Sequence, residues 1–286
     1  MKTYTLKNDC LELQVSSLGA TITSLKYKGA EQVLSYDTEE AYLAGSAYIC
    51  ASVGRYANRI RNASFSLNGK KIQLVANEGK NQLHSGPVSV DKRHWKVEED
   101  GEKIRMSILS PDGDNGFPGN LKMSVTFSLV QSSLRVEFEG ETDAPTVFAP
   151  TSHPYFIFSN ARLKVNSKSH LELDSENIPT GVIKKNEGKY DYSTMRELCA
   201  SLDDCFILDS EHALTMENNG VTLDVFTDFP ALQIYTGEYL ESPFSPRDGI
   251  AIEAEFYPDS PNHSNFPSTV LNPGEKFKKF VEYRFK

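Results

Sequence analysis

Apolar and polar residues alternate along most of this chain with a period of two, the pattern of β-strands that have one buried face. The alternation is clear at 11–15 and 25–27. Three further runs follow one another at 104–108, 121–129 and 134–138, separated by short loops that contain Gly, Pro, Asn or Ser. Sequential strands with short connections predict an antiparallel meander with one solvated face.

A β-hairpin is predicted where two short alternating segments flank the dipeptide Asn68-Gly69. Asn-Gly accepts positive φ at both central positions of a type I′ turn. Strand patterns return at 221–225 and 277–285, whereas helical periodicity is scarce and is best at 193–201.

No linker, charge block or fixed repeat divides the chain. We therefore expect one all-β domain over residues 1–286, a large and mostly antiparallel β-sandwich whose strands deliver side chains to a concave face. A cleft on such a face suits a polar ligand with many hydroxyl groups.

The charge balance limits the kinds of partner. The formal net charge is -9, and Lys and Arg form no cluster. Nucleic acids and anionic membranes are bound by basic patches, so neither is expected as a partner. A small neutral or cationic ligand fits the charge better, and no exposed apolar strip is evident, which favours a monomer or a weak homodimer.

The cysteines and the first residues indicate the compartment. Cys10, Cys50, Cys199 and Cys205 are too scattered for a disulfide framework or a zinc site and are expected to be free, buried thiols. The N-terminal residues lack the apolar region of a signal peptide, and no segment reaches membrane-spanning length. A cytoplasmic protein is the expectation.

The segment 249–262 contains a carboxylate where a strand should be apolar. Glu253 lies among Ile and Ala residues, and Glu255 shares its face because side chains alternate along a strand. A buried carboxylate is costly unless it is paired or hydrogen-bonded. Glu253 is therefore either structurally paired or used in proton transfer, and these residues alone leave both interpretations open.

Two of the six histidines stand out from the rest. His153 lies between two prolines and runs into aromatic residues, and His84 lies in a turn-rich loop before Gly-Pro. Rigid surroundings can hold an imidazole, which titrates near neutrality, in a fixed orientation. The other four histidines lie in polar sequence and are expected on the surface: His94, His170, His212 and His263.

Several motifs together resemble the aldose 1-epimerase family, the galactose mutarotases. They are GRYANRI at 54–60, NQLHSG at 81–86, GDNGFPG at 113–119, SHPYF at 152–156, DDCF at 203–206, QIYTG at 233–237, IE at 252–253 and PDSPN at 258–262. The motifs occur in family order from about residue 50 to the C-terminus, and the segment 266–275 resembles the closing segment of the family.

The resemblance implies a galactose-mutarotase-like sandwich that interconverts the α and β anomers of a free aldohexose, such as galactose or glucose, without metal or cofactor. By motif, Glu253 would be the general base at the anomeric hydroxyl and His153 the general acid at the ring oxygen. The sugar would be held by five further residues: Asn58, Arg59, His84, Asp203 and Gln233. Glu255 stands where the family usually has Gln, which leaves the pH dependence open.

Three alternatives accompany this assignment. A hexose-6-phosphate mutarotase would need a basic cluster, for which the chain offers Arg55, Arg59 and Arg61. A non-catalytic carbohydrate-binding protein would keep the hydroxyl contacts and lose the acid or the base. A glycosidase would need a second carboxylate motif at a defined separation, and none is evident.

Overall fold

The computed structural model describes residues 1–286, and most of its regular structure is β-strand. The strands, β1 to β27 in chain order, are Thr3–Lys7, Leu11–Ser16, Thr21–Tyr27, Ala30–Glu31, Ser52–Val53, Arg59–Ile60, Ser64–Leu67, Lys70–Gln73, Gln82–Leu83, Lys96–Glu99, Lys103–Ser110, Leu121–Val130, Ser133–Thr142, Thr146–Val147, Thr151–Ser152, Tyr155–Ile157, Arg162–Val165, Ser169–Leu173, Pro179–Lys185, Arg196–Glu197, Asp203–Ile207, His212–Asn218, Val221–Thr227, Ala231–Tyr235, Gly249–Glu255, Val270–Leu271 and Phe277–Phe285.

Helical structure is limited to one α-helix and five short 3₁₀ turns. The α-helix, α1, spans Glu39–Ala44, and the Thr38 hydroxyl caps it by accepting the Ala41 amide at 3.2 Å. The turns are Arg61–Ala63, Val90–Lys92, Asp114–Gly116, Gly188–Tyr190 and Ser260–Asn262. The helical turn expected at 193–201 is wrong, since this segment contains the short strand β20 instead. A six-residue helix is too short to cross a membrane, and no other helix is longer.

Three larger sheets organise the fold. The nine-stranded sheet has the order β10-β11-β12-β13-β27-β23-β22-β17-β20, the six-stranded sheet has the order β16-β25-β24-β21-β18-β19, and β1 to β4 form a four-stranded sheet. All strand pairings within these sheets are antiparallel, as the alternation predicts. The meander is confirmed as β11-β12-β13, and the Asn-Gly hairpin as β7 and β8.

The nine-stranded and six-stranded sheets pack face to face around the main core of 53 buried apolar residues. Ile252 and Ala254 of β25 point into this core, and the Tyr283 hydroxyl of β27 donates to the Ile252 carbonyl at 3.3 Å. Because side chains alternate, Glu253 and Glu255 point to the opposite face of the six-stranded sheet. That outer face carries the site described below.

Two of the expectations about single residues need correction. Cys50 and Cys205 are buried free thiols, as expected, but Cys10 is half-buried and Cys199 is exposed. His170 is buried rather than at the surface, because its ring stacks on Tyr190 with the ring centroids 3.7 Å apart. A polar sequence context says little about burial when an aromatic neighbour comes from a distant segment.

Candidate active site

A polar cavity of about 410 Å³ lies on the outer face of the six-stranded sheet. All seven side chains singled out from the sequence line it, although they come from segments up to 195 residues apart in the chain, from Asn58 to Glu253. The other lining residues are Ser46, Ala47, Tyr48, Glu78, Leu83, Tyr155, Asn177, Tyr235, Tyr239 and Leu240.

The floor of the cavity is built by strand register. Glu253 of β25 lies directly across from Gln233 of β24, and Asp203 of β21 lies across from Tyr235. The Gln233 amide donates to the Asp203 carboxylate, with 2.7 Å between Nε2 and Oδ1. The Gln233 side chain therefore holds the Asp203 carboxylate in place on the neighbouring strand. The floor of the cavity thus presents hydrogen-bonding groups at the regular spacing of paired strands.

His153 and Glu253 meet at the bottom of the cavity. The segment between β15 and β16 carries His153, whose Nε2 atom lies 3.3 Å from Oε1 of Glu253. Burial lowers the pKa of His153 to about 4 and raises the pKa of Glu253 well above its ordinary value. Both shifts disfavour the charged forms, so burial favours a neutral His153 imidazole beside a protonated Glu253 carboxyl group.

Asn58 and His84 hold each other in the adjoining wall, where the His84 ring lies 5.4 Å from the His153 ring. The backbone N–H of Asn58 donates to Nδ1 of His84 at 3.1 Å, and the backbone N–H of His84 donates to the backbone carbonyl of Asn58 at 3.1 Å. Both residues have positive φ, 63° and 48°, a costly conformation for a side chain such as His and one that clusters at functional sites. Since Nδ1 of neutral His84 accepts this hydrogen bond, Nε2 carries the ring hydrogen and acts as a donor.

This tautomer also bears on metal binding. One ring nitrogen of each histidine and one Glu253 oxygen lie within 4.8 Å of one another, a spacing that a metal ion could bridge. A metal on Nε2 of His84 would require the proton on Nδ1, where it would face the Asn58 N–H. The hydrogen bonding therefore favours His84 as a donor to a ligand oxygen over His84 as a metal ligand.

Arg59 enters the cavity from β6 already paired. Its Nε and Nη2 atoms bond the two Glu78 carboxylate oxygens at 2.8 and 2.9 Å. Burial lowers the pKa of Arg59, the Glu78 contact outweighs that effect, and the net pKa is raised. A two-point pair of this kind fixes the guanidinium plane and leaves Nη1 to face a ligand.

Glu255 does not line the cavity. Its side chain is fully buried behind Asn58, whose Nδ2 donates to Glu255 Oε1 at 3.1 Å. Burial, before any other cause, raises the pKa of Glu255 to about 8. The sequence predicts correctly that Glu255 shares a face of its strand with Glu253. It does not predict that the loop containing Asn58 covers Glu255.

The two arginines next to Arg59 in sequence lie elsewhere. Arg55 is buried, and its guanidinium donates only to hydroxyl and carbonyl oxygens: Ser110, Pro111, Pro118 and Thr146. Arg61 lies in the 3₁₀ turn after β6 and pairs with Asp174 at 2.8 Å, and neither residue lines the cavity. The three guanidinium groups therefore do not form a common anion site.

Sequence reasoning did not find several lining residues. Glu78 carries no motif of its own, and Tyr48, Tyr235 and Tyr239 look like ordinary core or loop aromatics. The Tyr48 ring lies 4.5 Å from the His84 ring, and Tyr239 is 81% exposed at the cavity mouth. Of these four lining residues, only Tyr235 belongs to a recognised motif, QIYTG at 233–237.

A wider hollow of about 740 Å³ lies on the outer face of the nine-stranded sheet. Its charged side chains already pair with one another, as Lys96 does with Glu98 and Lys278 with Glu139. It contains no histidine and no fully buried acid, so it lacks the groups needed for proton transfer.

Comparison with known proteins identifies the family. Residues 2–284 match the family model described as aldose 1-epimerase. The aldose 1-epimerase of Haemophilus influenzae is 33% identical over 99% of this chain and 95% of its own length. The galactose mutarotase of Bos taurus is 29% identical over 99% of this chain and 93% of its own length.

Solved structures agree with this match. A GalM/aldose epimerase homologue from C. elegans superimposes with a TM-score of 0.95 at 25% identity, over 100% of this chain and 98% of the other. Galactose 1-epimerase from Lactobacillus acidophilus gives 0.91 at 27% identity, over 99% and 94%. The chain is an isomerase, and it belongs to the aldose 1-epimerase family. The all-β fold and the family resemblance are confirmed.

Proposed function

We propose that this protein is a mutarotase that interconverts the anomers of a free, neutral aldohexose such as galactose or glucose. The observation that carries the proposal is the 3.3 Å contact between His153 and Glu253 at the floor of a sugar-sized polar cavity. Ring opening needs a base at the anomeric hydroxyl and an acid at the ring oxygen. Both oxygens are bonded to C1, so the two groups have to lie side by side.

Each half-reaction moves two protons. The Glu253 carboxylate takes the proton of the C1 hydroxyl while protonated His153 delivers its own to the ring oxygen, and the C1–O5 bond breaks to leave the open-chain aldehyde. Rotation about C1–C2 exposes the other carbonyl face. In reclosure the same groups act in reverse, so Glu253 and His153 end with the protons they had at the start.

The directions of the pKa shifts support a catalytic role for this pair. Opening starts from ionised Glu253 and protonated His153, which burial makes the minority form. The same burial makes that carboxylate a stronger base and that imidazolium a stronger acid. A lower population is thus offset by faster proton transfer from the reactive form.

The remaining residues are proposed to hold the sugar. The His84 Nε2 hydrogen and the Arg59 guanidinium donate, Asp203 accepts from hydroxyl groups, and Asn58 and Gln233 complete the ring of polar contacts. Tyr155 supplies an aromatic wall, with its ring 5.0 Å from the His153 ring. A few converging polar groups on an aromatic wall are typical of small-molecule sites.

The charge of the cavity favours a neutral sugar over a sugar phosphate. Arg59 is the one lysine or arginine among the lining residues, and its charge is met by two lining carboxylates, Glu78 and Asp203. A phosphate would need unpaired cations to compensate its charge. This supports the free hexose over the hexose 6-phosphate.

Polarimetry tests the proposal directly. Fresh α-D-galactose and α-D-glucose are each followed with and without enzyme, and enzyme should speed the approach to the anomeric equilibrium in proportion to its concentration. Binding of sugar without acceleration would instead show a non-catalytic carbohydrate-binding protein. Galactose and glucose in parallel rank the substrates.

Three broader proposals accompany the activity. The main core joins the two large sheets, which supports residues 1–286 as one domain. Free thiols persist in the cytoplasm, which supports that location. The polar cavity supports a monosaccharide as ligand, and the net charge of -9 supports neither nucleic acid nor membrane as partner; a monomer or a weak homodimer is proposed.

A further inference from the structure

Glu253 and Glu255 are neighbours on one face of β25 but have different surroundings. Glu253 is 2% exposed and lines the cavity, whereas Glu255 is 0% exposed and does not. On the same face, next to Glu255, lies a small apolar cluster: Leu171, Cys205, Ala231, Tyr257 and Phe266. The proposed reaction makes no use of this second buried acid.

The hydrogen bonds of the two carboxyl groups differ. Asn58 donates an amide hydrogen to Glu255 Oε1 at 3.1 Å, whereas Glu253 contacts only the His153 ring, at 3.3 Å. The second oxygen of each carboxyl group has no partner. A donated amide hydrogen stabilises the ionised form, so Glu255 ionises before Glu253.

Few other charges surround this pair. Asp203 raises the pKa of both acids and Arg59 lowers the pKa of both, but Arg59 shares its charge with Glu78. Burial keeps the facing Tyr56 and Cys205 groups neutral by raising the pKa of each. No unshared cation is present to screen the charge on Glu255 from Glu253.

We propose that Glu255 is a positioning residue for the proton of Glu253: its charge, held by Asn58, sets how strongly Glu253 binds the proton that it exchanges with the sugar. The inference rests on the proposed function. Glu255 touches neither sugar nor His153 and exchanges no proton with them; it acts only through the electric field at Glu253. Asn58 thereby has two roles, since it lines the cavity and holds the charge behind it.

Glu255→Gln separates charge from structure. The side-chain oxygen of glutamine still accepts the Asn58 hydrogen bond, while the negative charge is gone. The Glu253 carboxyl group is followed by ¹³C NMR in glutamate-labelled protein without sugar, with its resonance assigned from Glu253→Gln. Its ionisation midpoint should fall by about one pH unit or more in Glu255→Gln.

Kinetics give a second readout. The pair of Glu253 and His153 is active with one proton, and it loses that proton when Glu253 ionises. The alkaline limb of the kcat/KM profile should therefore move to lower pH by the same amount, with sugar affinity unchanged within about twofold because no sugar contact is lost.

Two controls define the outcome. Glu255→Asp keeps the charge and should leave the Glu253 midpoint near its original value. Glu172→Gln removes an acid from β18 of the same sheet, outside the cavity, and should leave it unchanged. A Glu253 midpoint that is the same in Glu255→Gln and the original protein would overturn the inference. Absence of mutarotation in the original protein would instead refute the proposed function, because the NMR titration needs no activity.

Discussion

Arg59 and Glu78 form a two-point ion pair at the cavity wall, with nitrogen–oxygen distances of 2.8 and 2.9 Å. In the sequence, Arg59 belongs to a recognisable motif, whereas Glu78, 19 residues later, belongs to none. The sequence therefore gives no sign that the two residues pair. The pair makes the guanidinium a fixed donor for a neutral ligand and also cancels most of its attraction for anions.

Arg59→Lys should raise KM about tenfold, because lysine cannot bond Glu78 at two points and offer the sugar a planar donor as well. The change in kcat should be smaller, since the acid and the base are retained. Steady-state polarimetry over a range of sugar concentrations separates the two constants. Arg61→Lys is the matched control, because Arg61 pairs with Asp174 outside the cavity. An equal loss in both variants would contradict a sugar contact at Arg59.

The pH dependence should have its acid limb near the pKa of His153, which is about 4. Glu253 holds a proton there because burial raises its pKa, so protonating His153 as well leaves the pair without an acceptor. We expect kcat/KM to be flat from neutrality down to about pH 5 and to fall tenfold per unit well below pH 4. An acid limb centred near 6.5, the ordinary pKa of histidine, would contradict the assignment.

Hexose 6-phosphates should be poor substrates. A phosphate dianion would meet the carboxylates of Glu78 and Asp203 and a single arginine that is already paired. We expect kcat/KM for D-glucose 6-phosphate to be lower than that for D-glucose by about 100-fold or more, since like charges in a desolvated site cost several kcal/mol. Parallel polarimetry of the two sugars measures the ratio. Equal rates, or a preference for the phosphate, would mean that the cavity charge does not select the substrate.

The strands and the fold class could be predicted because alternation is local: each of 11–15, 121–129 and 277–285 carries its own period of two. Glu253 could be singled out because an acid inside an apolar strand is anomalous. The role of Glu78 could not be predicted, since its pairing with Arg59 depends on how β6 and β9 bring two loops together. The helix α1 could not be predicted from the sequence, because six residues are too few to show a helical period.

Glu255→Gln should also stabilise the protein, increasingly so as the pH rises. Native Glu255 keeps its proton up to about pH 8, whereas in the unfolded chain it loses that proton near its ordinary value of 4.5, so the native state binds more protons between these values. The original protein therefore loses stability through that window, and the variant lacks this contribution. At about 1.4 kcal/mol per pH unit, the gain should reach about 4–5 kcal/mol above pH 8.

Urea unfolding at pH 5 and pH 8 measures this gain, with Glu172→Gln as the control for loss of a less buried acid on the same sheet. A gain of the same size at both pH values would show that Glu255 is not protonated in the native state at neutral pH.

The central claim is that Glu253 exchanges a proton with the sugar, and Glu253→Gln tests it most directly. Glutamine keeps the size and the hydrogen bonding of the side chain but cannot take the proton, so kcat should fall about 10²–10⁴-fold while sugar affinity stays within about tenfold. Both are measured on one preparation, kcat by polarimetry and affinity by calorimetry. A variant that binds sugar and turns it over at the original rate would contradict the account.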